Sequence, residues 1–293
     1  MAPASRMSSA NFPLDPEGHT YHVGVKMGRV ANRILTVGDP ERAHRIAKSL
    51  DSKDFVFTSK RGFTTITGAY KGVPVSIVAI GMGTPMADMM VREIRATVEG
   101  PIQLIRFGSC GGIGTRSQVG LIAVAKDGAA SVTRNNDFFA PMYAGNAPDE
   151  SLSPYVISEA CPADKEISEA LVDALRKRIG DDSVITGMNA TADSFYSSQG
   201  RLDPGFNDYN QDLIEAIRKR HPNCETLEME SFTLLHLARC ASFVSKENSI
   251  RAAACAMIFA DRKANDFIAP ETVERLENDA GLAVLDALVA CPF

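Results

Sequence analysis

Short apolar runs rich in β-branched residues alternate with helical patterns along most of this 293-residue chain. This alternation strongly limits the possible folds, because both faces of a sheet whose strands are joined by helices become covered by those helices. Two of the apolar runs are separated only by Lys71 and Gly72, a spacing that indicates an antiparallel hairpin. The sequence therefore predicts an α/β fold with three layers, α/β/α, around a central mixed β-sheet.

Hydrophobic periodicity predicts six strands and six helices. The strands are expected at residues 34–37, 63–70, 73–80, 102–107, 121–125 and 252–260. The helices are expected at residues 41–50, 86–99, 164–179, 208–220, 231–244 and 270–290. Residues 135–164 are rich in Pro, Asn, Asp and Ser without clear periodicity, which predicts an irregular surface excursion.

The first twenty residues contain Pro, Ser, Asn and Asp but no apolar segment of the kind found in signal peptides. We expect residues 1–20 to be a disordered lead-in and residues 21–293 to form a single domain, because this length can bury one large core. The longest apolar runs are about half of the roughly 20 residues that a membrane helix needs, so no contact with a membrane is expected.

Charge and cysteine content limit the partners and the compartment. A net charge of −5 provides no basic field for nucleic acid, so local arginines must hold any anionic ligand. This favours a small phosphate over a polymer. The six cysteines form no CxxC pair and no Cys/His cluster at zinc spacing, which predicts reduced thiols, no metal site and a cytoplasmic protein.

Two predicted strand ends carry glycine beside arginine. Residues 38–42 read GDPER, where Gly38 admits an anion to the backbone amide and Arg42 can reach the same point. Residues 106–112 read RFGSCGG, where backbone amides and the Ser109 hydroxyl can surround phosphate while Arg106 supplies charge. Taken alone, the first motif also fits an ordinary turn with a surface arginine, and the second fits an arginine paired with a structural carboxylate.

Two further motifs predict a pocket for a nucleoside. FYSSQGR at residues 195–201 offers an aromatic ring, an amide and a guanidinium, and LEMES at residues 227–231 places two carboxylates around a methionine. A base can lie against Phe195 while Gln199 and Arg201 satisfy the acceptor, donor and acceptor groups of a uracil edge. Glu230 can accept hydrogen bonds from two ribose hydroxyls.

These four motifs, together with SKRGFTT at residues 59–65, resemble the trimeric or hexameric class of nucleoside phosphorylases, and most of all its uridine-cleaving members. The resemblance extends from about residue 21 to the C-terminal helix. It implies the nucleoside phosphorylase fold and reversible phosphorolysis of uridine to uracil and ribose 1-phosphate, a step of pyrimidine salvage. Inorganic phosphate would be a co-substrate, and no cofactor is expected.

The resemblance also implies a role for each site residue. The expected phosphate ligands are Gly38, Arg42, Arg61, Arg106 and Ser109. The expected ribose contacts are His22, Met229 and Glu230. The expected base contacts are Cys110, Gly111, Phe195, Gln199 and Arg201. The residues expected to carry catalysis are Arg42, Arg106, Gln199, Arg201 and Glu230.

Arg61 and His22 are implied to come from a neighbouring subunit, so a homodimer would be the minimum working unit and a hexamer is also possible. Some relatives bind potassium through a carboxylate that follows the neighbour's arginine. Gly62 stands at that position here, which predicts no potassium site of that type. Cys110 stands where the second residue of a threonine pair is usual, so the hydroxyl there is replaced by a thiol that hydrogen-bonds weakly.

Two other functions remain open. Purine nucleoside phosphorylases of this class use an aspartate near the end of the late strand, and Asp261 occupies that region. The competing interpretation of Asp261 is an ion pair with Arg262 or Lys263. The chain could also bind or store nucleosides without turnover, although three arginines directed at phosphate argue against that function.

Overall fold

The computed structural model describes residues 7–293, which contain thirteen strands and seven α-helices. The strands are β1 (Arg33–Val37), β2 (Ser52–Thr58), β3 (Thr64–Tyr70), β4 (Val73–Ala79), β5 (Ile102–Gly112), β6 (Ile122–Val124), β7 (Ala129–Arg134), β8 (Tyr155–Ile157), β9 (Val184–Thr186), β10 (Met188–Ala192), β11 (Cys224–Glu228), β12 (Ile250–Asp261) and β13 (Asp266–Phe267). The helices are α1 (Pro40–Ile46), α2 (Thr84–Thr97), α3 (Asn136–Phe139), α4 (Lys165–Ile179), α5 (Leu213–Arg220), α6 (Ser231–Val244) and α7 (Pro270–Ala290).

All of these strands belong to one mixed sheet. Nine of them follow the order β2, β3, β4, β1, β5, β11, β10, β7 and β8. β12 pairs with β5 and connects β6, β9 and β13 to the sheet. β1 is parallel to both β4 and β5, whereas β3 is antiparallel to β2 and β4, so the predicted mixture of strand directions is confirmed.

Helices cover both faces of the sheet, and β1 shows how the alternating pattern produces this. Leu35 and Val37 contribute to a core that contains side chains of α1, α4 and α7. Ile34 contributes to a second core with α2 and α6. Because neighbouring residues of a strand point to opposite faces, one apolar strand can serve both cores. The three-layer α/β/α architecture is therefore confirmed.

The hairpin predicted between β3 and β4 is present. Tyr70 pairs with Val73, and the two residues between them have positive φ, +51° at Lys71 and +73° at Gly72. Two successive positive φ angles characterise a type I′ turn, whose twist matches that of the flanking strands. This hairpin makes the β2 side of the sheet antiparallel.

The segment 108–112, predicted as a glycine-rich turn after a strand, is instead the second half of β5. Gly108 is in register with Ala256 of β12, and Gly111 pairs with Leu227 of β11. The glycines in this strand make room for side chains that cross it. A Cβ on Gly108 would lie 3.5 Å from Nε of Arg106. The backbone amides of this segment therefore mostly serve the sheet.

Two other secondary-structure predictions were also wrong. α5 begins at Leu213 and not at residue 208, because Tyr209 has a φ of +50° that interrupts a helix, and Asn210 uses its side chain to bind the carbonyls of Ser197 and Arg201. The predicted irregular excursion contains α3 and β8, and β8 forms the sheet edge beyond β7.

Residues 1–6 of the predicted lead-in lie outside the described residues. In its described part, the amide of Ser8 donates to the carbonyl of Leu14 at 2.9 Å, and Leu14 forms an isolated bridge with Thr20. The division into a lead-in and a single domain stays a prediction. Across residues 7–293, no helix combines the length and apolar character that crossing a bilayer requires.

Candidate active site

A cavity of about 440 Å³ opens beside the second half of β5, at the segments that follow β1, β10 and β11. Eleven of the thirteen predicted site residues line it: Gly38, Arg42, Arg106, Ser109, Cys110, Gly111, Phe195, Gln199, Arg201, Met229 and Glu230. These residues are as much as 192 positions apart in sequence, and the mixed sheet brings them together.

Arg106 is a buried arginine in this cavity with donors that lack hydrogen-bond acceptors in the described structure. Arg106 is 3% exposed, and its Nη2 donates a hydrogen bond to Oε2 of Glu230 at 2.8 Å. Its Nε and Nη1 atoms are buried and have no partner within residues 7–293. A buried charged donor without an acceptor is costly, so the geometry favours an anion here. A Cβ on Gly38 would lie 3.6 Å from Arg106 Nη2, so glycine brings the backbone close to this guanidinium.

Arg42 is buried and lines the same cavity, which excludes its interpretation as a surface arginine. It lies in the first turn of α1, whose N-cap is Asp39 and whose first residue is Pro40. Burial lowers the pKa of Arg42, and the charge of Glu277 acts in the opposite direction. Nε of Arg42 donates to Oε1 of Glu277 at 2.9 Å. The two buried guanidinium groups, of Arg42 and Arg106, thus offer positive charge to one anion.

Glu230 is held by the backbone as well as by Arg106. Its Oε1 accepts a hydrogen bond from the amide of Gly83 at 2.5 Å, at the start of α2. The first turn of a helix favours a negative charge, so this position suits the side chain of Glu230. The two interpretations of the RFGSCGG motif are therefore both met at Arg106. It pairs with a carboxylate, that of Glu230, and it also lines a cavity.

Glu228 holds several segments around this site through hydrogen bonds to its buried carboxylate. Its carboxylate accepts hydrogen bonds from the side chains of Asn189 and Thr191, at 2.7 and 2.6 Å, and from the amides of Glu230 and Ser231. Burial, followed by the charge of Glu230, raises the pKa of Glu228 to about 7. The carboxylate thus supports the backbone that presents Met229 and Glu230.

Three of the predicted base-binding residues, Phe195, Gln199 and Arg201, lie on or beside one helical turn, Ser197–Gln199. Arg262 fixes this turn by donating to the carbonyls of Gln199 and Gly200 at 3.0 and 3.1 Å. The Gln199 side chain is buried and forms no hydrogen bond with the described residues, so its amide is free to recognise a ligand. Arg201 lies over the Phe195 ring, 4.1 Å from its centroid. One face of that ring is therefore not open to a base.

The Cys110 thiol is buried and donates to the carbonyl of Met257 at 3.4 Å. Burial raises the pKa of this thiol well above its ordinary value, with a further contribution from the charge of Glu228. It is therefore protonated at neutral pH and is not a nucleophile.

His22 and Arg61 do not line the cavity of their own chain. Nδ1 of His22 lies 2.6 Å from the buried carboxylate of Glu93, which directs Nε2 away from that carboxylate. Arg61 is exposed on the turn between β2 and β3, and its guanidinium lies 5.7 Å from the centroid of the Tyr21 ring. Tyr21 also packs edge-on against His22. The two residues therefore share one surface, separate from the cavity.

The expected ion pair of Asp261 is wrong. Its carboxylate accepts hydrogen bonds from the amides of Lys263 and Ala264, at 2.9 and 3.2 Å, and so caps the turn after β12. The side chains of Arg262 and Lys263 bind backbone carbonyls instead. The cavity lining includes Ala260 and not Asp261.

One group of three potential metal ligands occurs within residues 7–293, and it lies away from the cavity. Asp15, Glu17 and His19 bring ligand atoms within 4.8 Å of one another. Oδ1 of Asp15 accepts hydrogen bonds from the amides of Glu17 and His19, so the group is accounted for by a local turn. All six cysteines are free.

Sequence reasoning did not identify several residues that build the site: Gly83, Phe259, Arg262, Phe267 and Glu277. For Glu277 a signal existed, because it occupies the apolar stripe of α7 with Val273, Ala280 and Val284. A carboxylate in such a stripe needs a buried partner. Nothing in the sequence marks the amide of Gly83 as a partner of Glu230.

A family model described as the phosphorylase superfamily matches residues 32–290. The chain belongs to the phosphorylase superfamily. A relative from this superfamily, the uridine phosphorylase of Thermococcus kodakarensis, is 32% identical over 264 residues, which cover 88% of this chain and 83% of the relative. The DeoD-type purine nucleoside phosphorylase of Oceanobacillus iheyensis is 39% identical over only 92 residues, which cover 31% of this chain and 39% of that protein.

Solved structures from the superfamily match nearly the whole chain. One, from work on two diverse uridine phosphorylases of the oomycete Phytophthora capsici, has a TM-score of 0.89 and 40% identity, and the match covers 99% of this chain and 100% of the solved one. A Trypanosoma brucei nucleoside phosphorylase, described as showing uridine phosphorylase activity, has a TM-score of 0.78 at 19% identity, a likeness of fold. The predicted family resemblance and fold class are confirmed.

Proposed function

We propose that this chain is a pentosyltransferase that catalyses the reversible phosphorolysis of uridine to uracil and ribose 1-phosphate. The observation that carries this proposal is the division of one cavity between two kinds of ligand-binding group. Arg42 and Arg106 provide buried positive charge near Gly38, and two Arg106 nitrogens have no hydrogen-bond partner among residues 7–293. Gln199 and Arg201 provide an amide and a guanidinium in the same cavity.

Arg106 and the turn that carries Gln199 are held at different points along β5. Arg106 packs against Gly108, whereas Arg262, which fixes Gln199, packs against Gly111. Three residues of a strand span about 10 Å at roughly 3.3 Å each. Phosphate beside Arg106 and a base beside Gln199 therefore leave room for a ribose near Met229 and Glu230.

The relatives support uridine as the substrate. Both the Thermococcus kodakarensis protein and the Phytophthora capsici structure carry the name uridine phosphorylase, and each matches most of this chain. The purine nucleoside phosphorylases match shorter parts of it. The position of Asp261, which caps a turn and does not line the cavity, also disfavours purine cleavage.

In the proposed reaction, phosphate attacks C1′ of the ribose as the bond to uracil breaks. The ribose becomes cationic between a phosphate dianion and a departing uracil anion, so catalysis depends on placement and charge. Arg42 and Arg106 hold the phosphate, and Glu230 binds ribose hydroxyls. Gln199 and Arg201 stabilise the negative charge that develops on the uracil oxygens. Phosphate is a co-substrate, and the reaction as proposed needs no cofactor.

A homodimer is the proposed working unit, with Arg61 and His22 of one subunit completing the cavity of the other. This proposal is supported by their shared surface around Tyr21, outside the cavity of their own chain. We also propose that the enzyme acts in the cytoplasm in pyrimidine salvage, in keeping with its free cysteines.

The test is an assay of uracil release from uridine and hypoxanthine release from inosine, each with and without phosphate. We expect phosphate-dependent release of uracil and much slower release of hypoxanthine. Release of hypoxanthine alone would contradict the proposal in favour of purine cleavage. Tight uridine binding with no product from either substrate would instead identify a nucleoside-binding protein.

A further inference from the structure

A buried carboxylate stands behind Arg42, outside the cavity lining. Glu277 on α7 is 3% exposed and accepts a hydrogen bond from Nε of Arg42 at 2.9 Å. Its other oxygen, Oε2, lies 2.5 Å from Nη2 of the half-buried Arg45. Glu277 therefore forms ion pairs with two arginines of α1, but only its contact with Arg42 has hydrogen-bond geometry among the described residues. Because Glu277 does not reach the cavity, any effect on a ligand must pass through Arg42.

The contact with Glu277 fixes the orientation of the Arg42 guanidinium. An arginine carries five N–H donors in a rigid planar fork. Nε is used by Glu277, and Nη1 makes a long hydrogen bond of 3.4 Å to the carbonyl of Phe107. The Phe107 ring lies 5.3 Å from the guanidinium carbon. These contacts use Nε and Nη1, and Nη2 forms no hydrogen bond within residues 7–293, so Nη2 remains available to a ligand in the cavity that Arg42 lines.

Charge gives Glu277 a second effect on Arg42. Burial lowers the pKa of Arg42 most, the nearby charge of Arg106 lowers it further, and the charge of Glu277 raises it. Two buried guanidinium groups that face one anion repel each other when that anion is absent. Glu277 offsets this repulsion at Arg42, as Glu230 does at Arg106.

The packing of α7 on α1 sets the position of Glu277. A Cβ on Gly281 would lie 2.5 Å from Cγ1 of Ile46, so the absence of a side chain allows the helices to approach closely. Gly281 is four residues after Glu277, and Ile46 is four residues after Arg42. Residues four apart lie on the same helix face. Close packing of one pair thus places the other pair within hydrogen-bond distance.

We propose that Glu277 is a positioning residue for phosphate binding, which holds the Arg42 fork in the orientation that an anion in the cavity needs. This inference rests on the proposed function, because it takes the anion beside Arg42 to be the phosphate co-substrate. Glu277 touches neither phosphate nor nucleoside.

The test compares wild type with Glu277→Gln, which keeps the shape of the side chain and removes its charge. The measurements are the Kd of inorganic phosphate by calorimetry without nucleoside, and KM for phosphate and for uridine. We expect the Kd and KM of phosphate to rise about tenfold or more, the scale of one hydrogen bond to a charged group. KM for uridine should stay within about twofold, because no base or ribose contact is altered.

A matched control is Asp286→Asn, on the same helix. Asp286 pairs with Lys71 and Arg178 on the protein surface and makes no contact with Arg42. It should lower Tm without changing the phosphate Kd beyond about twofold. If Glu277→Gln does not fold, Glu277→Asp keeps the charge but shortens the reach, and its phosphate Kd should rise while its uridine KM does not.

A folded Glu277→Gln variant with a phosphate Kd within about twofold of wild type overturns the inference, since a stability role alone moves Tm as the control does. The phosphate measurement also separates this inference from the proposed function. If wild type binds phosphate, the variant binds it weakly and neither releases uracil, Glu277 keeps its role and uridine cleavage is wrong. If wild type releases uracil and the variant binds phosphate normally, only the role of Glu277 is wrong.

Discussion

Gln199 offers the sharpest single-residue test of base recognition. Arg262 holds the backbone carbonyl of Gln199, and the buried side-chain amide of Gln199 forms no hydrogen bond within the described chain. We predict that Gln199→Glu lowers kcat/KM for uridine about 100-fold or more, because a donor is lost and a negative charge faces the uracil anion of the transition state. Steady-state kinetics with saturating phosphate measure this effect.

The matched control is Gln211→Glu, which makes the same change at an exposed position outside the cavity. It should leave kcat/KM for uridine within about twofold of wild type. If Gln199→Glu cleaves uridine as fast as this control does, then Gln199 does not recognise the base.

The raised pKa of Glu228 predicts that the stability of the protein depends on pH. Burial and the charge of Glu230 raise its pKa to about 7 in the folded protein, whereas the pKa of a glutamate in an unfolded chain is about 4.3. Between these two values the folded state binds more protons than the unfolded state, so this group's contribution to stability is lost as pH rises from about 4.3 through 7. We predict that Tm of wild type relative to Glu228→Gln falls across that interval.

Thermal unfolding of both proteins from pH 4.5 to 8 measures this difference. Glu225→Gln is a useful comparison, because Glu225 is a buried carboxylate of the same strand that pairs with Arg116. A difference in Tm between wild type and Glu228→Gln that stays constant with pH contradicts the raised pKa.

The residues that line the cavity were easier to predict than the residues that hold them in place. Gln199, Arg201 and Glu230 stand in short motifs whose side chains fit a nucleoside, and the structure brings them to one cavity. The contact of Gly83 with Glu230 depends on a backbone amide 147 residues away, which any residue except proline provides. The distant partner of Arg42, Glu277, could be suspected from its helical stripe but not paired from sequence.

At the scale of secondary-structure elements, the approach of α7 to α1 depends on Gly281. A Cβ there would lie 2.5 Å from Ile46, in a fully buried interface. Alanine normally stabilises a helix relative to glycine, by about 1 kcal/mol. We predict the opposite here: Gly281→Ala lowers the free energy of unfolding by about 1–3 kcal/mol, because the helices must separate.

Urea denaturation of the single variants and of the double variant Ile46→Ala/Gly281→Ala measures this packing. Ile46→Ala alone should cost about 2–5 kcal/mol through the cavity that it leaves. In the double variant the new methyl group occupies part of that cavity, so the combined loss should be smaller than the sum. Additive losses would show that the two positions do not share a contact.

The elements that the sequence predicts well are long and strongly patterned. α4, α6 and α7 match their predicted ranges within one residue, because each repeats apolar residues at helical spacing. The strands β8, β9 and β13 contain only two or three residues and carry no measurable period. β10 and β11 read MNATA and CETLE, and their buried polar residues serve the network around Glu228. Hydrophobic periodicity cannot detect such strands.

At the scale of the whole molecule, one chain does not bring all predicted site residues together. Arg61 is exposed on the β2–β3 turn beside Tyr21, and His22 is anchored nearby by Glu93. The cavity lies elsewhere and is lined by Arg106 and Gln199. If a neighbouring subunit supplies Arg61 and His22, the cavity and this surface must meet across an interface between two copies. A two-fold axis would let each copy complete the other.

Mixed dimers test this arrangement directly. Arg61→Ala removes the proposed donor and leaves its own cavity intact, whereas Arg106→Ala disables the cavity and leaves the donor intact, so each variant alone should be nearly inactive. When the two are unfolded together and refolded at equal amounts, half of the dimers are mixed, and one of their two cavities is complete. Uracil release should therefore recover to about a quarter of the wild-type rate. Recovery depends on exchange of subunits, so mixing the folded variants without unfolding should restore less. A refolded mixture that is no more active than the separate variants would show that Arg61 acts within its own chain or not at all.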